Sequence, residues 1–392
     1  MDVLKLHNRL TISCIQTPGV KYGTCLSGAN FVNIIRKTNL QSLSFTASSV
    51  CVTDCVGNAI SKFCRNLTRL YANQVRFGES AMSLFRGIPD ITSLALIDVG
   101  LTEQGLRTVL LSCQDLEHLN IEFNPEVEGE CFQSHLPDSL RHLDVSSTSC
   151  SKQAVLSDCI KMCPSLEVLN MSDLTTATSE IFIESCLHSL LTLDISLSYE
   201  TYSRLTETHY IPFDFAKLPC LKNLNVSSYH FGSELGSLAQ DCPNLTSLNM
   251  NNCEVVGGMY TLLVALENLN LTQLLIRDNP KWFEPSWSEM DMTIECISDF
   301  KTLEVLDLSG WNISNYHAVQ LITELPVLER LELRNCLKLN YNLKLMLMQN
   351  LSSLSEELKM QPHVLEVDVT NTNIDFDSVP GLLNLQFITD NF

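Results

Sequence analysis

Histidine and cysteine are the residues of this sequence whose spacing comes closest to a catalytic or metal-binding pattern. His118 and His142 lie 24 residues apart, at the same place in two adjacent copies of a repeated segment, so we expect them to stand side by side. No carboxylate or thiol at matching spacing completes a metal or acid–base set with them. Cys51 and Cys55 form a Cys-x-x-x-Cys pair, but a structural zinc site needs a second pair. We therefore predict stacked polar histidines and no metal site.

Sequence motifs of the common enzyme classes are missing as well. The chain has no Gly-x-x-x-x-Gly-Lys-Ser/Thr loop, no Gly-x-Ser-x-Gly elbow, no His-Glu-x-x-His helix and no dinucleotide fingerprint. We therefore predict a non-catalytic protein with no catalytic residue and no cofactor.

The elements that position these residues follow from an internal repeat. The segment 163–171 returns almost unchanged at 242–250, and looser copies recur along the chain. An apolar residue at position i with apolar partners at i+3 and i+5 fits neither a helix face nor a plain strand alternation, and predicts a short strand entered from a tight corner. Most copies are 24 to 27 residues apart, which leaves room for a helix between strands. Thirteen copies can be placed, and their first apolar residues are Leu40, Leu67, Ile91, Leu116, Leu140, Leu166, Leu190, Leu221, Leu245, Leu271, Leu303, Leu328 and Val364.

Two further patterns support this arrangement. The segments between strands begin with residues typical of helix N-caps, such as Thr102 and Ser151. Cysteines recur three residues before an anchor or at position i+8, where a small, weakly polar side chain suits the turn between helix and strand. We predict that these are buried core thiols: Cys64, Cys113, Cys163, Cys242, Cys253 and Cys336.

The pattern Cys-Pro-x-Leu-x-x-Leu-x-Leu followed by a helical return resembles the cysteine-containing leucine-rich repeats of F-box and leucine-rich-repeat proteins, which are substrate receptors of cullin-RING ubiquitin ligases. The resemblance implies an α/β leucine-rich-repeat solenoid, or horseshoe, with parallel strands on the concave face and helices on the convex face. It also implies a protein–protein recognition module, the substrate-recognition subunit of such a ligase, with a cullin-ligase adaptor among its partners. The alternative is an intracellular regulatory or cytoskeletal scaffold unrelated to ubiquitination.

We expect three segments: residues 1–39 as an N-terminal cap or degenerate repeat, 40–375 as an array of about thirteen repeats, and 376–392 as a C-terminal cap. Residues 1–39 do not match the F-box pattern that precedes the repeats in that family. Either the adaptor-binding element has another form, or the chain is a shortened product, or the element is absent.

Charge and composition restrict the partners and the compartment. The net charge of −20 opposes binding to nucleic acid or anionic membranes and favours a neutral or basic protein partner. The N-terminus lacks the apolar stretch of a signal peptide, and no run approaches the ~20 apolar residues of a membrane span. The 16 cysteines are spread along the repeats, which is typical of reduced thiols in an intracellular protein, cytoplasmic or nuclear.

Two sets of residues are candidates for partner binding. Position i+4 of each strand should point from the concave face into solvent, where acids and amides could bind a basic extended segment; the alternative is that they only keep this face soluble. These residues are Asn120, Asp144, Asn170, Asp194, Asn225, Asn249, Asp307 and Glu332. Two intervals between anchors, Leu190 to Leu221 and Leu271 to Leu303, are longer than the rest and predict loops whose aromatic side chains could anchor a partner. The alternative is that these aromatic side chains fold back and cover the core. Their candidates are Tyr199, Tyr202, Trp282 and Trp287.

Overall fold

The computed structural model divides into two compact units, a first of Met1–Thr178 and Ser185–Leu193 and a second of Ser179–Glu184 and Asp194–Phe392. The structure describes residues 2–6, 9–13, 33, 35–36, 39–46, 51–52, 54–77, 79–174, 181–182, 188–198, 213–214, 218–231, 237–255, 258–278, 287–350, 364–374 and 385–389.

The strands of the first unit lie side by side in chain order. β1 is antiparallel to β2, and every later neighbour of this series is parallel, with a register in which anchor leucines stand beside each other. A further pair, β4 and β6, is also parallel. The strands are β1 Asp2–Leu6, β2 Arg9–Ser13, β3 Ser42–Thr46, β4 Cys51–Val52, β5 Arg69–Asn73, β6 Arg76–Phe77, β7 Ser93–Ile97, β8 His118–Asn120, β9 His142–Asp144 and β10 Val168–Asn170.

The strands of the second unit follow the same rule. From β14 onward the neighbours of the main series pair in parallel, up to a last strand within the segment predicted as a C-terminal cap. Two short parallel pairs, β11 with β13 and β15 with β17, lie outside this series. The strands are β11 Ile181–Phe182, β12 Thr192–Asp194 at the division between the units, β13 Phe213–Asp214, β14 Asn223–Asn225, β15 His230–Phe231, β16 Ser247–Asn249, β17 Glu254–Val255, β18 Gln273–Leu275, β19 Val305–Asp307, β20 Arg330–Glu332, β21 Leu365–Asp368 and β22 Leu385–Ile388.

Helices connect many of these strands. As predicted, Thr102 and Ser151 cap two of them, each side chain accepting a backbone N–H of the first turn. In the described part of the chain, no helix is both long and apolar enough to cross a membrane. The helices are α1 Asp54–Phe63, a 3₁₀ helix Glu79–Gly87, α2 Glu103–Ser112, α3 Phe132–His135 and α4 Lys152–Met162 in the first unit, and α5 Leu238–Asp241, α6 Met259–Leu266, α7 Trp287–Ser298, α8 Asn315–Glu324 and α9 Asn342–Gln349 in the second.

The core lies between strands and helices. Leucines at i and i+3 and apolar residues at i+5, such as Leu116, Leu119 and Ile121, are almost fully buried. Removing this apolar surface from water is the main stabilising term. Positions i+2 and i+4 of the strands lie on the opposite side, which we call the open face. The fold is thus an α/β leucine-rich-repeat solenoid with parallel strands, as the repeat predicted.

The predicted core cysteines are buried, and several donate their Sγ–H to a backbone carbonyl of the preceding repeat. Cys163 reaches Pro137 O at 3.5 Å and Cys253 reaches Val226 O at 3.1 Å. Burial raises the pKa of Cys253 to about 12, so this thiol stays protonated at neutral pH. The free cysteines of the described residues are therefore mostly structural, with Cys55 among the exposed exceptions.

Position i+7 has a shared backbone conformation. Where most of these strands leave the sheet, the chain turns through a residue with positive φ, a region that Asn, Asp and Gly tolerate better than other residues. The non-glycine residues with positive φ in this position are Gln74, Asp98, Phe123, Ser147, Asp173, Ser228, Asn252, Asp278, Asn335 and Asn371. Phe123, with φ 57°, is the bulkiest of them.

Candidate functional site

The open face of the first unit carries the predicted row of amides and acids. Because β8, β9 and β10 are parallel and in register, Asn120 lies beside Asp144 and Asp144 lies beside Asn170. Both amides donate an Nδ2–H to Asp144 Oδ2, at 3.2 Å from Asn120 and 3.1 Å from Asn170. One carboxylate oxygen thus bridges three strands.

The remaining oxygens of this row bind the chain's own backbone. Asp144 Oδ1 accepts the N–H of Ser146 at 3.0 Å and its hydroxyl at 2.6 Å. Asn120 and Asn170 accept the N–H of the residue two positions on in the same way. These side chains are fixed by hydrogen bonds to a neighbouring strand and to their own backbone, so they lose little conformational entropy when a partner binds. Their oxygens already accept hydrogen bonds within the protein, which leaves less capacity to accept one from a partner.

In the second unit, the side chain at position i+4 also accepts the N–H of the residue two positions on. Asp194 accepts Asn225 Nδ2 at 2.8 Å and the N–H and hydroxyl of Ser196, at 2.9 and 2.6 Å. Asn249 accepts the N–H of Asn251 at 3.0 Å. The row therefore contributes to the turn after each strand in addition to any recognition role.

Asp307 departs from the exposure that its position predicted. Asp307 is only 4% exposed, whereas Asp144 and Asp194 stay partly exposed, although all three accept the N–H of the residue two positions on. Glu332 stays partly exposed beside it, and burial together with the Asp307 charge raises the pKa of Glu332. Arg334 lies next to both acids and pairs with Asp368, Nε to Oδ2 at 2.8 Å. Asp307 is thus less accessible than its register predicted, and its role in partner binding stays a prediction.

The two histidines stand side by side, as their spacing predicted. Their Nδ1 atoms are 2.7 Å apart and the rings meet edge to face. Burial and the neighbouring His118 lower the pKa of His142. Within the described ranges, no group of three or more His, Cys, Asp or Glu side chains could hold a metal ion.

The aromatic loop candidates lie almost entirely outside the described residues. Tyr199, Tyr202 and Trp282 are not among them, and Trp287 is described only as the first residue of α7. Their role in partner binding stays a prediction.

A groove in the first unit was not predicted from the sequence. It has a volume of about 850 Å³ and lies where β5, β7, β8 and β9 leave the sheet. Tyr71 and Phe123 are its exposed aromatic residues, 38% and 51% exposed. The available signal was Phe123 itself, a large apolar residue at i+7, where most repeats carry Asn, Asp or Ser. The groove is lined by Tyr71, Asn73, Gln74, Ile97, Asp98, Glu122, Phe123, Pro125 and Ser147.

Comparison with known proteins gives partial similarities. No family model matches the chain. The F-box protein SKIP17 of Arabidopsis thaliana is 26% identical over 124 residues, which are 30% of this chain and 24% of that protein. The F-box protein SKIP19 of the same plant is 28% identical over 132 residues, which are 30% of this chain and 43% of that protein. The chain thus spans less than half the length of either relative.

Two solved structures align with most of the chain. The crystal structure of a TLR13–ssRNA13 complex matches with a TM-score of 0.54 and 16% identity, covering 89% of this chain and 45% of that chain. Rad7, solved in complex with Elc1 in yeast, matches with a TM-score of 0.47 and 14% identity over 92% of this chain and 77% of that chain. At such identities the likeness to TLR13 shows the fold alone.

Proposed function

We propose that this chain is a non-catalytic protein-recognition module. The observation that carries the proposal is the rigid polar row of the first unit, in which Asp144 joins Asn120 and Asn170 across three strands of an open sheet face. Repeat arrays use such extended faces for binding, and side chains fixed in advance bind at a lower entropic cost. The net charge of −20 favours a basic partner.

The finer proposal is that the module is the substrate-recognition subunit of a cullin-RING ubiquitin ligase. Its support is the similarity of part of the chain to the F-box proteins SKIP17 and SKIP19. The repeat class points the same way, since Cys163 and Cys242 occupy the cysteine position of F-box and leucine-rich-repeat receptors.

Affinity purification of the tagged full chain from its native cells, with mass spectrometry, tests the recognition role and the ligase role separately. A ligase subunit should recover a cullin and its adaptor in stoichiometric amounts. Reproducible absence of both, with another protein retained, would refute the ligase role and leave a recognition scaffold. Recovery of no protein at all would count against recognition itself.

The polar row is tested with charge-removing substitutions. Asp144→Asn with Asp194→Asn keeps an acceptor oxygen for each turn but removes two charges from the open face. It also replaces the Oδ2 acceptors of Asn120, Asn170 and Asn225 with an amide donor, so it tests the charge and the bridges of the row together. We expect weaker retention of a basic partner and a smaller salt dependence of binding. The matched control is Asp115→Asn with Asp138→Asn, which removes two exposed charges outside the row. Equal retention by both variants would reduce the row to a solubilising and turn-forming role.

A further inference from the structure

The groove of the first unit combines apolar and acidic side chains. Tyr71 is oriented by a hydrogen bond from Asn73, whose Nδ2 donates to the Tyr71 hydroxyl at 3.1 Å. In the adjacent strand the residue in register with Tyr71 is Ala95, whose methyl group is too short to cover the tyrosine ring. The ring is therefore left 38% exposed.

Phe123 forms the other apolar wall, and its conformation is costly. A bulky residue with φ near +57° is an outlier, and strained residues of this kind concentrate at functional sites. In other repeats the same position is occupied by residues that tolerate this conformation, such as Asn252, Asp278 and Asn335. Phe123 is also 51% exposed, so burial in the core does not compensate for the strain.

The charge of the groove has one sign. Asp98 and Glu122 are its ionisable side chains apart from Tyr71, and none of the described lining residues is basic. Burial and the nearby Asp144 raise the pKa of Glu122, and a hydrogen bond from the Asn120 side chain offsets this only in part. A cation placed in the groove would relieve this repulsion.

We propose that the groove binds an extended segment of a protein partner in which a Lys or Arg lies next to an aliphatic or aromatic residue. The cation meets Asp98 and Glu122, and the apolar side chain packs on Phe123 and Tyr71. This rests on the proposed recognition function and specifies the chemistry of the segment that is recognised. Arginine suits the site well, because its guanidinium stacks on aromatic rings while pairing with carboxylates.

The test is selection of random 12-residue displayed peptides on the immobilised full chain, followed by Kd measurement for the enriched peptides. We expect sequences with Lys or Arg within two residues of Leu, Phe, Tyr or Trp. Phe123→Asn should weaken their binding at least tenfold, and it fits the backbone better than Phe does, so loss of folding is not expected. Asp98→Asn and Glu122→Gln should each weaken binding and reduce its salt dependence. Tyr341→Ala, which removes an aromatic side chain 65% exposed in the second unit, is the control.

Each other outcome overturns the groove proposal. If no peptide is enriched, if the enriched peptides lack basic residues, or if Phe123→Asn and Tyr341→Ala bind equally well, the groove is not the site. These results are distinguishable from failure of the proposed function, because the affinity purification scores partners of the whole chain. A chain that retains a partner through another surface would keep its recognition role.

Discussion

Asn124 is the side chain whose removal should reveal most about how the repeats are joined. It is fully buried at position i+8, after β8. Its Oδ1 accepts the N–H of Leu101 at 2.9 Å and of Val99 at 3.2 Å. Its Nδ2 donates to Leu96 O at 2.7 Å and to Ile121 O at 2.8 Å. One amide therefore satisfies backbone groups of two consecutive repeats.

Asn124→Ala leaves these backbone groups without a hydrogen-bond partner. Because Asn124 is fully buried, bulk water does not replace the lost bonds. Each buried N–H left without an acceptor costs about 1–3 kcal/mol, so Val99 and Leu101 together set a loss of about 2–6 kcal/mol. The matched substitution Thr148→Val affects the same position of the next repeat, where the hydroxyl donates to Val145 O at 2.6 Å and accepts one weaker bond. We expect a smaller loss there, about 1–3 kcal/mol, because only one buried N–H loses its acceptor.

Native-state amide hydrogen exchange is the suitable assay, since a repeat array need not unfold in one step. Exchange at Val99 and Leu101 should accelerate at least about 30-fold in Asn124→Ala, given that 1.4 kcal/mol corresponds to a factor of ten. Amides of the second unit, such as Leu306, serve as an internal reference. Unchanged protection of Val99 and Leu101, or equal effects of Asn124→Ala and Thr148→Val, would refute the reasoning.

Three further predictions concern strain, pH and thiols. Phe123→Asn should raise the urea midpoint of the first unit, with a gain of about 1 kcal/mol from relieved strain. The pKa of Glu332 is raised in the folded protein, so its contribution to the free energy of unfolding is present below the ordinary carboxyl pKa of about 4.3 and is lost as pH rises through the pKa of the folded state. Glu332→Gln should therefore flatten the dependence of the free energy of unfolding on pH between pH 4 and 8. Iodoacetamide should modify Cys55 in the native protein, whereas Cys113, whose pKa burial raises to about 12, should react only on unfolding, as peptide mapping would measure.

The strands and their register were predictable because the repeat fixes which residues must be buried. Leu116 and Leu140 define the strands that place Asn120 beside Asp144, and the equivalent positions of the two histidines predicted their contact. The cysteine positions were predictable for the same reason. A periodic pattern specifies what each repeat shares with its neighbours.

Features that belong to one repeat were not predictable in this way. Asp307 occupies an exposed register position, yet it is only 4% exposed, whereas Asp144 at the equivalent position stays partly exposed. The antiparallel pairing of Asp2–Leu6 with Arg9–Ser13 breaks the parallel rule near the N-terminus. The groove depends on the exposure of Phe123 and Tyr71, which the repeated pattern does not specify. Such features need the positions of neighbouring side chains.

The regular register also has a consequence for the speed of folding. The bonds from Asn120 and Asn170 to Asp144 close loops of 24 and 26 residues. The entropy lost in closing a loop grows only with the logarithm of its length, and here the length is set by one repeat and not by the size of the chain. Sheet formation can therefore begin at any pair of adjacent strands and extend in either direction within a unit. A longer array of the same kind would require more steps of equal difficulty, and no single step would become slower.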